Sequence, residues 1–230
     1  MARHEGFDRK YGDPQTFYAH HYERVLRSGT VGKAQDRTHR ALEKHSPPGS
    51  HFSRVLEVGA GSGEHFPFVR HSFDEYVETD LRPRSVEVPD EPRRKFEVAD
   101  AQRLPFESQS FNRVVATCLL LHLPDPEQGL SEWRRVLRPG GQASLLVPCD
   151  PGVLVRTLRA VLTVPAVRRS GFEGYRLFSA RDHRNHVGSI DQMVRWVFRT
   201  DDLHVSRYPL GLPSWNLNAF FIYTANIGTP

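Results

Sequence analysis

Cysteine is nearly absent, with two in 230 residues. Cys118 and Cys149 show no Cys-x-x-Cys spacing, which excludes a disulfide framework and the common zinc sites, so no metal is expected. No apolar run is long enough to span a membrane, and charged residues rather than an apolar leader follow Met1. The expected compartment is therefore the cytoplasm. Repeats, low-complexity tracts and a composition-marked linker are also missing, so residues 1–230 are expected to form a single domain. Lysine is scarce as well, at 4 of the 31 basic residues. That bias carries no functional weight by itself.

The composition that remains is that of a folding globular chain, 38% hydrophobic and 25% charged with 14 Phe and three Trp. A net charge of +4 and a pI near 9.3 leave nucleic acid or an anionic membrane surface open without favouring either. The basic residues are scattered, and no Asn-Pro-Pro-aromatic base-flipping signature is present, which argues against nucleic acid.

Residues 1–50 hold much of the histidine and tyrosine. Asp13-Pro14 marks a helix start, and Phe17, His21, Val25 and Leu26 fall at helical spacing. The turn cluster Ser46-Pro47-Pro48-Gly49-Ser50 closes this segment. Strands then alternate with helices, the pattern of a parallel sheet covered on both faces. Strands are expected at 53–58, 75–79, 95–98, 111–117 and 142–147. Helices are expected at 64–71 and over Leu130, Trp133, Val136 and Leu137, the latter stopped by Arg138-Pro139-Gly140-Gly141. Asp150-Pro151 reads as a helix cap opening a helix over 153–164 that Pro165 ends, and Ser189 with Gln192 as a capping box before Ile190, Met193, Val194, Val197 and Phe198. Residues 205–208 and 219–224 read as final strands.

The densest signal is Glu57-Val58-Gly59-Ala60-Gly61-Ser62-Gly63. A P-loop requires Lys-Ser or Lys-Thr after its last glycine, whereas Glu64-His65 follow here. A dinucleotide turn spaces its glycines G-x-G-x-x-G, and Gly63 comes one position early. The acid followed by G-x-G-x-G resembles motif I of class I S-adenosylmethionine-dependent methyltransferases. Asp80 and Asp100 end the next two strands, and Leu104-Pro105-Phe106, Leu121-His122-Leu123-Pro124-Asp125 and Leu137-Arg138-Pro139-Gly140-Gly141 also match that family, especially its ubiquinone/menaquinone-biosynthesis branch. The matching stretch covers about residues 53–148.

This resemblance implies an α/β, Rossmann-like sheet of seven mostly parallel strands with the last antiparallel, helices on both faces and a helical N-terminal lid. Residues 1–50 form the lid, 51–150 the cofactor-binding core, 151–200 a helical substrate-side segment and 201–230 the terminal strands. It implies S-adenosylmethionine as cofactor, held by Tyr18, Tyr22, Glu57, Gly59, Ala60, Gly61, Ser62, Gly63, Asp80, Leu81, Asp100, Ala101, Gln102 and Thr117, with Asp80 on the ribose hydroxyls. His122 is the candidate base, since imidazole titrates near neutrality and methyl transfer needs one only where the acceptor carries a proton. Tyr11, His21, His183 and His186 are the candidates on the substrate side.

The expected acceptor is a small molecule methylated on O, N or C. The apolar stripe and arginines of 153–169 leave a phospholipid or lipid quinone at a membrane surface open. From a different class, a non-catalytic S-adenosylmethionine-binding partner subunit also remains open. The expected assembly is a monomer or homodimer.

Overall fold

The computed structural model describes residues 17–22, 25, 27–84 and 91–229. Among these residues seven strands form one sheet: β1 (His51–Val58), β2 (Ser72–Asp80), β3 (Arg94–Val98), β4 (Phe111–Thr117), β5 (Leu137–Pro148), β6 (Asp202–Tyr208) and β7 (Phe220–Asn226). Their spatial order is β3-β2-β1-β4-β5-β7-β6. The pairs β1–β2, β1–β4, β2–β3 and β4–β5 are parallel, and β7 runs antiparallel to both of its neighbours. The expected sheet, with its last strand reversed, is thus the observed one.

The order reverses between β1 and β4. In open α/β sheets the crevice beyond the carboxyl ends of the strands at such a switch point is where ligands bind. Here that crevice is flanked by the glycine turn after β1 and by the loop after β4.

Helix α1 (Gly29–Glu43) covers one face of the sheet, packing Ala41 and Leu42 on Val55, Tyr76, Val115, Leu146 and Ile222. Helices α2 (Pro126–Val136) and α6 (Val187–Val197) cover the other, where Leu130, Trp133, Ile190 and Val194 meet Leu56, Val114 and Leu145. The α1 face also holds a sealed ionic network. The Glu43 carboxylate takes hydrogen bonds from His65 Nε2 at 3.0 Å and Arg113 Nη2 at 2.8 Å, and all three side chains are solvent-free. Burial works against the charged form of Glu43, yet these two partners outweigh it and hold the carboxyl well below its usual range.

Between α2 and α6 lie α3 (Val153–Leu158), a π-helical turn at Arg159–Thr163, α4 (Val164–Arg169) and α5 (Tyr175–Asp182). The N-terminal turn Phe17–Tyr22 docks here. Phe17 sits 5.0 Å from Phe172, 5.5 Å from Tyr175 and 4.6 Å from Phe178, ring centre to ring centre.

Five local expectations are corrected. Residues 64–71 form no α-helix, only a 3-10 turn at Phe66–Phe68: the connection to β2 is short, and Pro67 with flanking aromatics disfavours a longer helix. Arg138-Pro139-Gly140-Gly141 does not follow a helix that includes Leu137, because β5 already begins at Leu137 and the pairing with β4 shifts register there. Asp150-Pro151 caps no helix. That peptide is cis, Gly152 is the cap residue, and the Asp150 carboxylate is engaged elsewhere. Pro165 does not stop the helix at 164; helical backbone continues through the π-helical turn into α4, which carries Pro165 in its first turn. Helix α6 begins two residues ahead of Ser189, whose hydroxyl donates to the His186 carbonyl instead of capping.

Candidate functional site

The turn after β1 follows from its glycines. Gly59, Gly61 and Gly63 have φ of 69°, 56° and 86°, a region open to glycine at little cost. All three also make room; a Cβ on Gly61 would lie 2.9 Å from Glu64 Oε2. A Cβ on Gly59 would lie 2.7 Å from Leu119 Cδ2, so this glycine lets the loop after β4 close against the loop after β1. A Cβ on Gly63 would overlap the Arg94 guanidinium. Arg94 makes a two-pronged ion pair with Glu78 at 2.6 and 2.7 Å, and Arg84 reaches the same carboxylate at 2.8 Å. The turn is closed by Gly63 N–H donating to the Ala60 carbonyl at 2.8 Å, and tied to β2 by Ala60 N–H donating to the Thr79 carbonyl at 2.9 Å.

Glu57 is buried on the α1 face beneath this turn, where it accepts a 2.8 Å hydrogen bond from the Tyr76 hydroxyl. Burial, reinforced by the nearby Glu78 carboxylate, pushes its carboxyl up to about 8, with the Tyr76 bond acting in the opposite sense.

Asp80 ends β2 beside the glycines. Its carboxylate accepts from Gly61 N–H at 3.0 Å and from Arg82 N–H at 3.1 Å. Leu81 and Val98, one residue beyond Asp80 and at the end of β3, stand 67% and 56% exposed. Large aliphatic side chains so exposed at adjacent strand ends offer a flat apolar ligand two surfaces to cover. Asp100 accepts from Gln102 N–H at 2.9 Å, Gln102 Oε1 accepts from Asp125 N–H at 2.7 Å, and Trp133 Nε1 donates to the Ala101 carbonyl at 3.0 Å. This loop is therefore held on α2. A glycine turn with room only for backbone, a strand-terminal carboxylate and exposed aliphatic walls together fit a nucleoside with a charged tail, and so fit S-adenosylmethionine.

Thr117 ends β4, and Cys118 follows with φ of 59°. Three residues beyond Leu119, His122 Nδ1 lies 3.0 Å from Asp182 Oδ2 and 3.2 Å from the Asp182 carbonyl oxygen. The His183 ring stands edge-on to that of His122, with centroids 5.0 Å apart. His183 Nδ1 is bonded to Asp150 Oδ2, and Arg159 Nη2 lies 2.7 Å from the same oxygen. Burial works to raise the Asp150 carboxyl, but His183 and Arg159 outweigh it and hold it at about 2.

Asn185 fixes this arrangement. Its side-chain amide donates to the carbonyls of Leu120 and Leu123 at 2.9 and 2.8 Å, and the Arg184 N–H donates to the Leu121 carbonyl at 2.8 Å. The segment from Asp182 to Asn185 is thereby pinned along the loop that carries His122. His122, Asp182 and His183 each bring one potential ligand atom within 4.8 Å of the others, the one such group among the described residues.

Of the residues expected from sequence, the structure brings the glycines and Asp80 together, and joins His122 to His183. His186 lies apart, exposed at the start of α6. His21 Nδ1 meets Ser170 Oγ at 3.0 Å, and Tyr22 packs on the Phe17 cluster. Tyr11 and the side chain of Tyr18 lie outside the described residues. Sequence reasoning missed Asp150, Arg159, Asp182 and Asn185. The one local hint was the run Asp182-His183-Arg184-Asn185-His186, dense in polar side chains.

Known proteins agree with this geometry. Residues 56–145 match the family model described as a methyltransferase domain. A phosphatidylethanolamine N-methyltransferase of Cereibacter sphaeroides is 34% identical over 100 residues, covering 40% of this chain and 49% of the relative. A demethylmenaquinone methyltransferase of Clavibacter sepedonicus is 32% identical over 130 residues, covering 54% and 47%. The chain spans about half the length of these curated relatives. The fold matches a solved Haemonchus contortus phosphoethanolamine N-methyltransferase 2 in complex with S-adenosyl-L-methionine, with a TM-score of 0.61 and 15% identity, over 97% of this chain and 59% of that one. Residues 56–145 thus form a methyltransferase domain, on the fold shared with a methyltransferase solved with S-adenosylmethionine.

Proposed function

We propose that this chain transfers a methyl group from S-adenosylmethionine to a small-molecule acceptor, with His122 taking the acceptor's proton. The observation that carries the reading is the 3.0 Å pairing of His122 with Asp182 beside the crevice whose other wall is the glycine turn. Gly59 through Gly63 cradle the methionine portion, Asp80 takes the ribose hydroxyls, and Leu81, Asp100, Ala101 and Gln102 take the adenine. Glu57 supports the turn from beneath, Thr117 lines the floor, and Tyr18 and Tyr22 belong to the covering lid. When bound, the cofactor supplies an electrophilic methyl on a sulfonium.

The protein's own task is alignment and proton removal. A carboxylate only accepts, so Asp182 holds the proton of His122 on Nδ1 and leaves Nε2 to receive one. Asp182 also stabilises the imidazolium that results. Asp150 orients His183 in the same manner across the site, and Arg159 keeps Asp150 charged.

Isothermal titration should give donor binding in the wild type. With an acceptor found by mass spectrometry using methyl-labelled cofactor, His122→Ala should lose about 100-fold or more in turnover while donor affinity stays within about two-fold. Absent donor binding would overturn the methyltransferase reading. Binding without transfer to any acceptor would favour a non-catalytic partner subunit, and unchanged turnover would remove His122 as base.

A lipid or lipid-quinone acceptor is the second reading. It is supported by exposed Val153, Leu158 and Val161 beginning three residues beyond Asp150, and by relatives named for phosphatidylethanolamine and demethylmenaquinone.

A further inference from the structure

Among the described residues, most of the large apolar side chains left exposed gather in two segments that touch. One is α3 with its π-helical turn, carrying Val153, Leu158 and Val161. The other follows β6 and carries Leu210, Trp215 and Leu217. These six are between 41% and 66% exposed. The segments are joined where Val153 N–H donates to Asn216 Oδ1 at 3.3 Å. Helix α3 follows Asp150 directly, so this face borders the Asp150–His183 side of the site.

Its charge is one-sided. Residues 151–172 and 203–229 contain no Asp or Glu but include Arg156, Arg159, Arg168, Arg169 and Arg207. Arg156, Arg168 and Arg169 are exposed. Across 151–217 there are ten arginines against five acidic residues, an excess larger than the net +4 of the whole chain. Protruding aliphatics with a tryptophan enter hydrocarbon and headgroup regions, and arginines beside them pair with phosphates. A nucleic acid would match the arginines and leave the aliphatics in water.

We infer that this face docks on an anionic phospholipid surface, with Val153, Leu158, Val161 and Trp215 entering the interface and Arg156, Arg168 and Arg169 meeting the phosphates. The acceptor-side cluster then opens toward the bilayer. This rests on the lipid-acceptor reading for its purpose, but the surface is tested without turnover.

The full chain is sedimented with phosphatidylcholine vesicles containing roughly one-third phosphatidylglycerol, and with pure phosphatidylcholine vesicles. Binding should be at least about ten-fold tighter to the anionic vesicles. It should fall by a similar factor in Leu158→Asp/Val161→Asp, in Trp215→Ser, and in Arg156→Gln/Arg168→Gln/Arg169→Gln. These side chains are exposed, so melting temperature and donor affinity should match the wild type.

No binding to anionic vesicles, equal binding to both kinds, or wild-type binding in the variants overturns the inference. A concentration-dependent dimer abolished by the same variants, with no vesicle binding, assigns the face to a second copy of this chain and likewise overturns it. Vesicle binding in a chain with no donor affinity would sink the methyltransferase reading and leave this surface standing.

Discussion

The Tyr76 hydroxyl donates a 2.8 Å hydrogen bond to the Glu57 carboxyl on the neighbouring strand, and both side chains are sealed from solvent. Because burial and Glu78 raise the folded-state value of Glu57 from 4.5 to about 8, the contribution of this group to stability is fully present below pH 4.5 and is lost as pH rises through 8. Glu57→Gln keeps an acceptor for Tyr76 and removes the ionisation. Thermal unfolding should show a larger gain in melting temperature at pH 9 than at pH 6, and an equal shift at both would refute the assignment.

His39 gives the opposite slope. Burial, with His65 and Arg27 nearby, lowers it from 6.5 to about 3, against the pull of Glu43. Its contribution is present above pH 6.5 and lost as pH falls from there toward 3. His39→Gln should flatten the loss of stability between pH 6.5 and 4, read from denaturant midpoints, by up to about one proton. An unchanged slope would mean that His39 does not govern it.

On the proposed reading Asp80 anchors the ribose as well as holding the turn, and one substitution probes both. Asp80→Ala should weaken donor binding by about 10- to 100-fold, the value of one or two hydrogen bonds to a charged acceptor. It also frees Gly61 N–H and Arg82 N–H. Asp80→Asn, which can still hold Gly61, should keep more stability than Asp80→Ala yet remain weak in binding. Wild-type titration curves in both would remove Asp80 as the ribose anchor.

On the proposed mechanism Asp182 positions His122. Asp182→Asn should lower turnover by about ten-fold and displace the pH–rate profile along the pH axis, with donor affinity preserved. Loss of activity with an unmoved profile would mean that Asp182 serves structure alone.

Trp133 anchors the loop after β3. Trp133→Phe leaves the Ala101 carbonyl without its 3.0 Å donor in a fully buried setting. The cost should be about 1–3 kcal/mol, seen as a drop of several degrees in melting temperature, with weaker donor binding. Unaltered melting would contradict the role of this bond.

The strands, the glycine turn and the acids at strand ends were legible in the chain itself, because apolar periodicity, glycine spacing and strand-terminal residues act over a few neighbours. Capping signals at Asp150-Pro151 and Ser189 misled for the same reason: a residue suited to a cap can serve elsewhere when a distant partner binds it more strongly.

What the sequence alone determined, then, is the layered α/β scaffold and the turn at its switch point. Only tertiary structure decided which polar groups meet. Arg113 reaches Glu43 across 70 residues, Asn185 reaches Leu120 across 65, and Asp182 reaches His122 across a comparable span. Such pairings leave no periodic trace, since the chain must bury its apolar faces before charges so far apart can come within hydrogen-bonding distance.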